Sequence, residues 1–173
     1  MESDEELMAA IARGDERALA ALIERHAVRL HGFLARLARD RDDADDLLQD
    51  TWVRVARGAR SFDPNRKVRP WLYGIAANLA RDLHRRRGVR QRAVLDGSTA
   101  AATASPAFRP LERLDLRERV ARLPSRLREV LLLRFYEGLD EAEMAEALGV
   151  PKGTVKSRLH GAIRELRRGW EGA

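Results

Sequence analysis

The sequence contains no cysteine, so disulfide bonds, cysteine-ligated zinc and thiol redox chemistry are excluded. Aromatic residues make up only 5% of the chain, whereas leucine, alanine and arginine are abundant. This composition favours helices over sheets. No apolar run approaches the ~20 residues that span a membrane. The N-terminal stretch MESDEELMAA is acidic, the reverse of a signal peptide. We therefore expect a soluble, cytoplasmic protein.

Charge is abundant and unevenly placed along the chain. The net charge is +6 and charged residues make up 35% of the sequence, which points to a polyanionic partner. From Asp40 to Asp50 there are six aspartates and one arginine, whereas from Arg66 to Arg92 nine basic residues accompany only Asp82. Separate acidic and basic surfaces indicate more than one partner.

Apolar residues recur at helical spacing, and no strand pattern of any length is present. Ser3 and Glu6 form a capping-box pattern ahead of a first short helix. A long helix with one apolar face is predicted from Asp15 to about Arg39, and a third helix follows the aspartate cluster. Further helices are predicted at residues 70–87, 111–122 and 124–136.

The segment 88–110 separates two groups of predicted helices. It is rich in Ala, Ser, Thr, Gly and Pro, and it is interpreted as a flexible linker. We therefore predict one domain at residues 1–87 and a second at 111–173. The expected fold class is all-α, with two small helical domains joined by a tether.

The most specific local pattern lies at Glu141–Arg168. Ala145 is small enough for two helices to approach, Gly149 can adopt the left-handed backbone of a sharp turn, and Val155 can seal the second helix against the first. This spacing is typical of a DNA-binding helix-turn-helix. The outward face of the second helix carries side chains suited to bases and phosphates, namely Lys156, Ser157, His160 and Arg164.

Four segments together resemble the extracytoplasmic-function (ECF) sigma factors of bacterial RNA polymerase. DADDLLQDTWVRVARG at Asp43–Gly58 and RPWLYGIAANLARDLHRR at Arg69–Arg86 resemble sigma region 2. LPSRLREVLLLRFYEGL at Leu123–Leu139 and GVPKGTVKSRL at Gly149–Leu159 resemble region 4. The resemblance implies a transcription initiation factor with no catalytic centre, metal or cofactor of its own. Its implied partners are core RNA polymerase (the clamp coiled coil and the flap), promoter DNA and an anti-sigma factor.

The resemblance also implies three sets of contact residues. The polymerase-binding set is Asp46, Leu47, Gln49 and Asp50; the −10 set is Phe62, Asn78, Arg81 and Arg85; the −35 set is Thr154, Lys156, Ser157, Arg158 and His160. Gly161 stands where family members commonly carry a basic residue, so we expect one DNA contact to be lost there.

The residues themselves leave some of these roles open. Asp46, Gln49 and Asp50 share one helix face at i, i+3 and i+4, which also suits a merely solvated acidic face. Phe62 lies in a loop that contains Pro and Asn, so its ring either stacks on an extruded base or anchors the loop. Trp71 has the spacing of a core residue.

Two other functions compete with this interpretation. Asp42–Asp46 reads DDADD, which satisfies the DDxxD pattern of helical prenyl-diphosphate synthases, where carboxylates bind magnesium. The chain is too short for that fold and carries no second such motif. The stronger alternative is a two-domain helix-turn-helix regulator that binds duplex DNA independently of polymerase, but such proteins typically carry an α/β sensor domain.

Overall fold

The computed structural model describes residues 2–38, 41–97 and 116–168, and within these ranges the chain forms helices and turns without a strand. The predicted all-α fold class is therefore confirmed. The helices are α1 (Asp4–Ala12), α2 (Glu16–Leu37), α3 (Arg41–Gly58), α4 (Val68–Gly97), α5 (Leu116–Arg122), α6 (Ser125–Leu131), α7 (Glu141–Leu148) and α8 (Lys152–Arg168).

Helices α1–α4 form the N-terminal half. The predicted capping box opens α1, because the Ser3 hydroxyl accepts from the Glu6 amide and the Glu6 carboxylate accepts from the Ser3 amide. Asp15 caps α2 with its side chain alone, by accepting from the amides of Arg17 and Ala18. The α2, α3 and α4 helices pack on one another, and Phe33 at their centre is fully buried.

The end of α4 corrects one predicted boundary. The helix continues to Gly97, ten residues beyond the predicted end at Arg87, so the first part of the predicted linker 88–110 is helical. Gly88 costs only about 1 kcal/mol within a helix, and the Arg, Gln, Ala and Leu residues that follow it are good helix formers. Residues 98–110 of the predicted linker, and residues 111–115 of the helix predicted after it, lie outside the described residues.

Helices α5–α8 form the C-terminal half. A wider π-helical turn at Leu132–Tyr136 extends α6, and the Glu137 amide donates to the Leu132 carbonyl at 3.0 Å. Gly138 then ends the helix with φ +70°, two residues after the predicted end at residue 136. Asp140 and Glu143 form a second capping box at the start of α7.

The two halves pack against each other, chiefly where α7 lies on α4. Met144, Leu148 and Val155 belong to the same apolar cluster as Leu72 and Ala77, so one core crosses from half to half. A smaller second cluster within the C-terminal half consists of Leu123, Leu131 and Ala162. This arrangement decides which charged side chains of the two halves remain exposed.

Candidate polymerase and nucleic-acid interfaces

The helix-turn-helix is formed as the sequence predicted. Gly149 has φ +63°, and its amide and that of Val150 donate to the carbonyls of Glu146 and Ala145 at 3.3 and 3.1 Å. This pair of bonds is a Schellman motif, which satisfies the last carbonyls of α7. Val155 is fully buried between the two helices. The turn therefore fixes α8 against α7.

The outward face of α8 carries the exposed members of the predicted −35 set. Lys156, Ser157 and His160 are exposed, while Thr154 and Arg158 are half-buried at the edge of this face. The Ser157 hydroxyl donates to the Thr154 carbonyl at 3.0 Å, and the Lys156 ammonium lies 3.5 Å from the Glu141 carboxylate of α7. The exposed members of the set are thus placed where a duplex could reach them; their contacts with DNA stay a prediction.

Gly161 is half-buried at the flank of α8. A Cβ on Gly161 would lie 3.5 Å from a methyl carbon of Leu127, which is ordinary van der Waals contact with α6. A larger residue would therefore fit at this position. The expected loss of a DNA contact at Gly161 stays a prediction.

Part of the acidic face of α3 is exposed and accessible to a binding partner. Asp46, Gln49 and Asp50 are all exposed, so these members of the predicted polymerase-binding set share an open face. Leu47, by contrast, is only 5% exposed and packs in the core. Its assignment as a contact residue is therefore corrected. Leu47 anchors α3 by packing against the neighbouring helices of the N-terminal half.

The predicted −10 residues lie around the start and the outer face of α4. The Phe62 ring is half-buried against Trp71, with ring centroids 4.9 Å apart and planes tilted by 57°. The exposed Asn78 accepts a hydrogen bond of 2.6 Å from the Arg81 guanidinium, while Arg85 pairs with Asp82 at 3.2 Å. Phe62 and Asn78 therefore lie on the same half of the molecule, but Phe62 is packed as well as accessible.

Sequence reasoning missed the residues of the C-terminal half that meet this surface. The Arg66 guanidinium lies 2.6 Å from the Glu146 carboxylate, and the Lys67 ammonium lies 2.7 Å from Glu143. Arg81 lies 3.4 Å from Glu129 of α6. The only available signal was the concentration of glutamates on α7, which does not reveal partners as far as 80 residues away.

Two buried glutamates, Glu129 and Glu137, lie at the contact between the two halves. Burial raises the pKa of Glu129 to about 7, even though Arg81, Arg158 and Arg128 favour its charged form. Burial likewise raises the pKa of Glu137, whose carboxylate lies 3.7 Å from both Arg29 and Arg69. On the exposed side, the hydrogen bond from Lys67 lowers the pKa of Glu143. The contact thus combines costly buried charges with well-formed exposed pairs.

The DDxxD pattern is not arranged as a magnesium site. Asp43 is buried and accepts from the Arg87 guanidinium, while Asp45 lies 2.9 Å from the His31 ring. Among the residues that the structure describes, no cluster of three or more His, Asp or Glu side chains could hold a metal ion. These carboxylates instead join α3 to α2 and α4. None of the described helices is long and apolar enough to cross a membrane.

Comparison with known proteins identifies the class to which this two-part helical DNA-binding architecture belongs. Residues 22–90 match the family model of Sigma-70 region 2, and residues 113–166 match that of Sigma-70 region 4. The chain is 35% identical to the RNA polymerase sigma factor CarQ of Myxococcus xanthus, over 89% of this chain and 90% of that protein. It is 34% identical to the ECF sigma factor SigE of Mycolicibacterium smegmatis and spans 64% of that protein's length.

The fold agrees with a solved relative. The structure of CnrH in complex with the cytosolic domain of CnrY matches with a TM-score of 0.74 and 28% identity, over 99% of both chains. The sigma factor RpoE of Bartonella quintana, solved with the anti-sigma factor NepR, has a TM-score of 0.66 over 87% of this chain and 97% of that chain. The chain belongs to the ECF sigma factors of the sigma-70 family, the proteins that bind core RNA polymerase and direct promoter-specific initiation.

Proposed function

We propose that this chain binds core polymerase through the exposed face of α3, reads −35 duplex through α8, and captures extruded −10 bases with the surface around Phe62 and Asn78. One observation carries the proposal. The polar face of α3 and the outward face of α8 are both exposed on different halves of the molecule, so polymerase and duplex can be bound simultaneously. The clamp coiled coil and the flap are the expected polymerase contacts.

Base capture requires no covalent chemistry from this chain. One aromatic ring stacked on an extruded base contributes roughly 1–3 kcal/mol, and the Asn78 amide offers both a donor and an acceptor to a base edge. Because the polymerase performs nucleotidyl transfer, we assign this chain no catalytic centre and no cofactor. Its place of action is then the cytoplasm, where the polymerase transcribes.

Control by an anti-sigma factor is part of the proposal. The sigma factor RpoE of Bartonella quintana, which shares this fold, forms a complex with the anti-sigma factor NepR. An anti-sigma factor of this kind would bind both halves of this chain and hold them together. The two halves could then not separate when polymerase and promoter DNA bind.

The test is promoter-dependent transcription by sigma-free core polymerase and this chain, scored over a randomised promoter library. We expect selective initiation, and we expect the Gln49→Ala, Asp50→Ala variant to bind polymerase at least tenfold more weakly. The Glu24→Ala variant, which removes an exposed carboxylate from α2, should behave as wild type. Tight sequence-specific duplex binding without any initiation would instead identify a regulator that acts independently of polymerase.

A further inference from the structure

Three consecutive carboxylates in the first turn of α1 have three different partners. Asp4 pairs with the Arg25 guanidinium of α2, and Glu6 completes the capping box of α1 itself. Glu5 accepts a hydrogen bond of 3.1 Å from the Val68 amide, which is the first amide of α4 and lies 63 residues away in the chain. Asp4 and Glu6 therefore anchor the start of α1, and Glu5 joins α1 to α4.

The start of α4 is capped from outside the helix. Lys67 occupies the N-cap position, and its ammonium group can only donate hydrogen bonds. Arg69 adds a second cation at the end of the helix that carries a positive partial charge, which is unfavourable. The Glu5 carboxylate supplies both the acceptor and the negative charge, the role that an Asp or Ser at the N-cap has in most helices.

Helix α1 contacts both ends of the loop that carries Phe62. This loop, residues 62–67, follows a 3-10 turn at Ala59–Ser61 and ends where α4 begins. Ala59 and Val68 are buried in the same apolar cluster as Leu7 of α1, and α1 packs on both the turn and α4. The hydrogen bond from Val68 to Glu5 thus adds a polar contact at one of two ends that α1 already holds.

The loop itself has a locally fixed shape. The Asp63 carboxylate accepts from the Asn65 amide at 2.9 Å, and its carbonyl accepts from the Arg66 amide at 3.0 Å. The Phe62 amide donates to the Ala59 carbonyl at 3.3 Å. Because these bonds limit movement within the loop, the direction of the Phe62 ring depends on how the two ends of the loop are held.

We propose that Glu5 is a positioning residue for −10 recognition: by accepting from the Val68 amide, it fixes the start of α4 and with it the presentation of the Phe62 ring to an extruded base. This inference rests on the proposed role of Phe62. The match to region 2 begins at residue 22, so α1 lies outside the segment that the family model covers. Glu5 itself makes no contact with DNA. Without it, base capture is reduced to the fraction of molecules in which the loop is correctly placed.

Two variants of Glu5 separate the hydrogen bond from the charge. Glu5→Ala removes the acceptor, whereas Glu5→Gln retains an acceptor oxygen without the negative charge. The matched control is Asp15→Ala, which removes the carboxylate that accepts from the Arg17 and Ala18 amides at the start of α2. The control makes the same change in net charge as Glu5→Ala and also uncaps a helix, but it leaves the bond to Val68 in place.

The first measurement uses the full chain without polymerase or DNA. Nuclear magnetic resonance gives the hydrogen-exchange rate of the Val68 amide and the ring-proton shifts of Phe62, whose ring centroid lies 4.9 Å from that of Trp71. We expect Glu5→Ala to accelerate the exchange of the Val68 amide and to change the Phe62 shifts. Glu5→Gln should lie closer to wild type than Glu5→Ala does, and Asp15→Ala should change neither quantity.

The second measurement compares promoter opening with initial complex formation in the presence of core polymerase. Glu5→Ala should reduce opening by about two- to fivefold, the effect of one lost helix cap, and leave initial complex formation unchanged. Glu5→Gln should recover most of this loss, and Asp15→Ala should open the promoter as wild type does.

Three results would overturn the positioning role: unchanged Val68 exchange and Phe62 shifts in Glu5→Ala, an equal loss of opening in Asp15→Ala, or a Glu5→Gln variant as impaired as Glu5→Ala. The failure of the proposed function is a separate result. A wild-type chain that never initiates disproves that function, whereas the exchange rate and the ring shifts still decide whether Glu5 holds the start of α4 and the Phe62 ring.

Discussion

The two proposed DNA-reading surfaces differ in how far their side chains are engaged by contacts within the chain. On α8, Lys156 and His160 are exposed on the outward side of the C-terminal half. On the N-terminal half, Arg66 and Lys67 are held by glutamates of α7, at 2.6 and 2.7 Å. The cations of α8 are thus largely open to solvent, whereas the proposed −10 side chains are engaged within the chain: Phe62 packs on Trp71, and Asn78 accepts from Arg81.

The largest effect is expected on the exposed surface. Replacing Lys156 and His160 together by Ala should weaken binding to a −35 duplex by about 100-fold, since each base contact contributes ~1–3 kcal/mol. Transcription from a template already opened at −10 should fall much less. The exposed Arg126→Ala variant on α6 controls for loss of positive charge. Equal losses on closed and opened templates would contradict the division between the surfaces.

The proposed −10 surface should respond at a later step. Phe62→Ala is expected to reduce promoter opening by about tenfold, because one stacking contact is lost, while initial complex formation changes little. Permanganate reactivity of unpaired thymines measures opening, and filter binding measures complex formation.

Phe62→Leu separates stacking from packing at the same position. Leucine can still fill space against Trp71, whose ring centroid lies 4.9 Å from that of Phe62, but it offers no ring to a base. If Leu restores opening to the wild-type level, the role of Phe62 is structural.

The free energy of unfolding should depend on pH through Glu129, which lies at the contact between the two halves. The pKa of Glu129 is raised by burial to about 7, above its unfolded value, so the ionised carboxylate is the costly form in the folded state. The free energy of unfolding should therefore increase as pH falls from 8 to 6, with a contribution from Glu129 on the order of 1 kcal/mol. Denaturant titrations at both pH values measure this. Glu129→Gln should remove that contribution, and an identical pH dependence in the variant would refute the assignment.

The smallest expected effect concerns the C-terminal half alone. Gly161→Ala should stabilise the fold by about 0.5–1 kcal/mol, since the added methyl group meets Leu127 at an ordinary distance and α8 gains helix propensity. Gly149→Ala should have the opposite sign because φ is +63° there. Thermal unfolding of the two variants gives the comparison, and destabilisation by Gly161→Ala would show that the space near Leu127 is needed.

Local features were predictable from the sequence because their causes lie within a few residues. The capping box at Ser3 depends on a residue three positions away, and the turn at Gly149 depends on the lack of a Cβ. The exposure of Lys156 and His160 follows from their angular position relative to Val155. The predicted end of α4 at Arg87 was wrong, because the small loss of helix propensity at Gly88 is offset by the helix formers around it.

The sequence by itself determined that this protein is all-helical, that it carries a helix-turn-helix, and that its acidic and basic residues are segregated, because periodicity and turn chemistry are local. Only the tertiary structure decided that Leu47 lies in the core, that Gly161 lies beside Leu127, and that glutamates of α7 pair with Arg66 and Lys67 just ahead of α4. Those outcomes depend on which helix packs on which. An ion pair such as Lys67 with Glu143, 76 residues apart, cannot be predicted from the periodicity of the sequence.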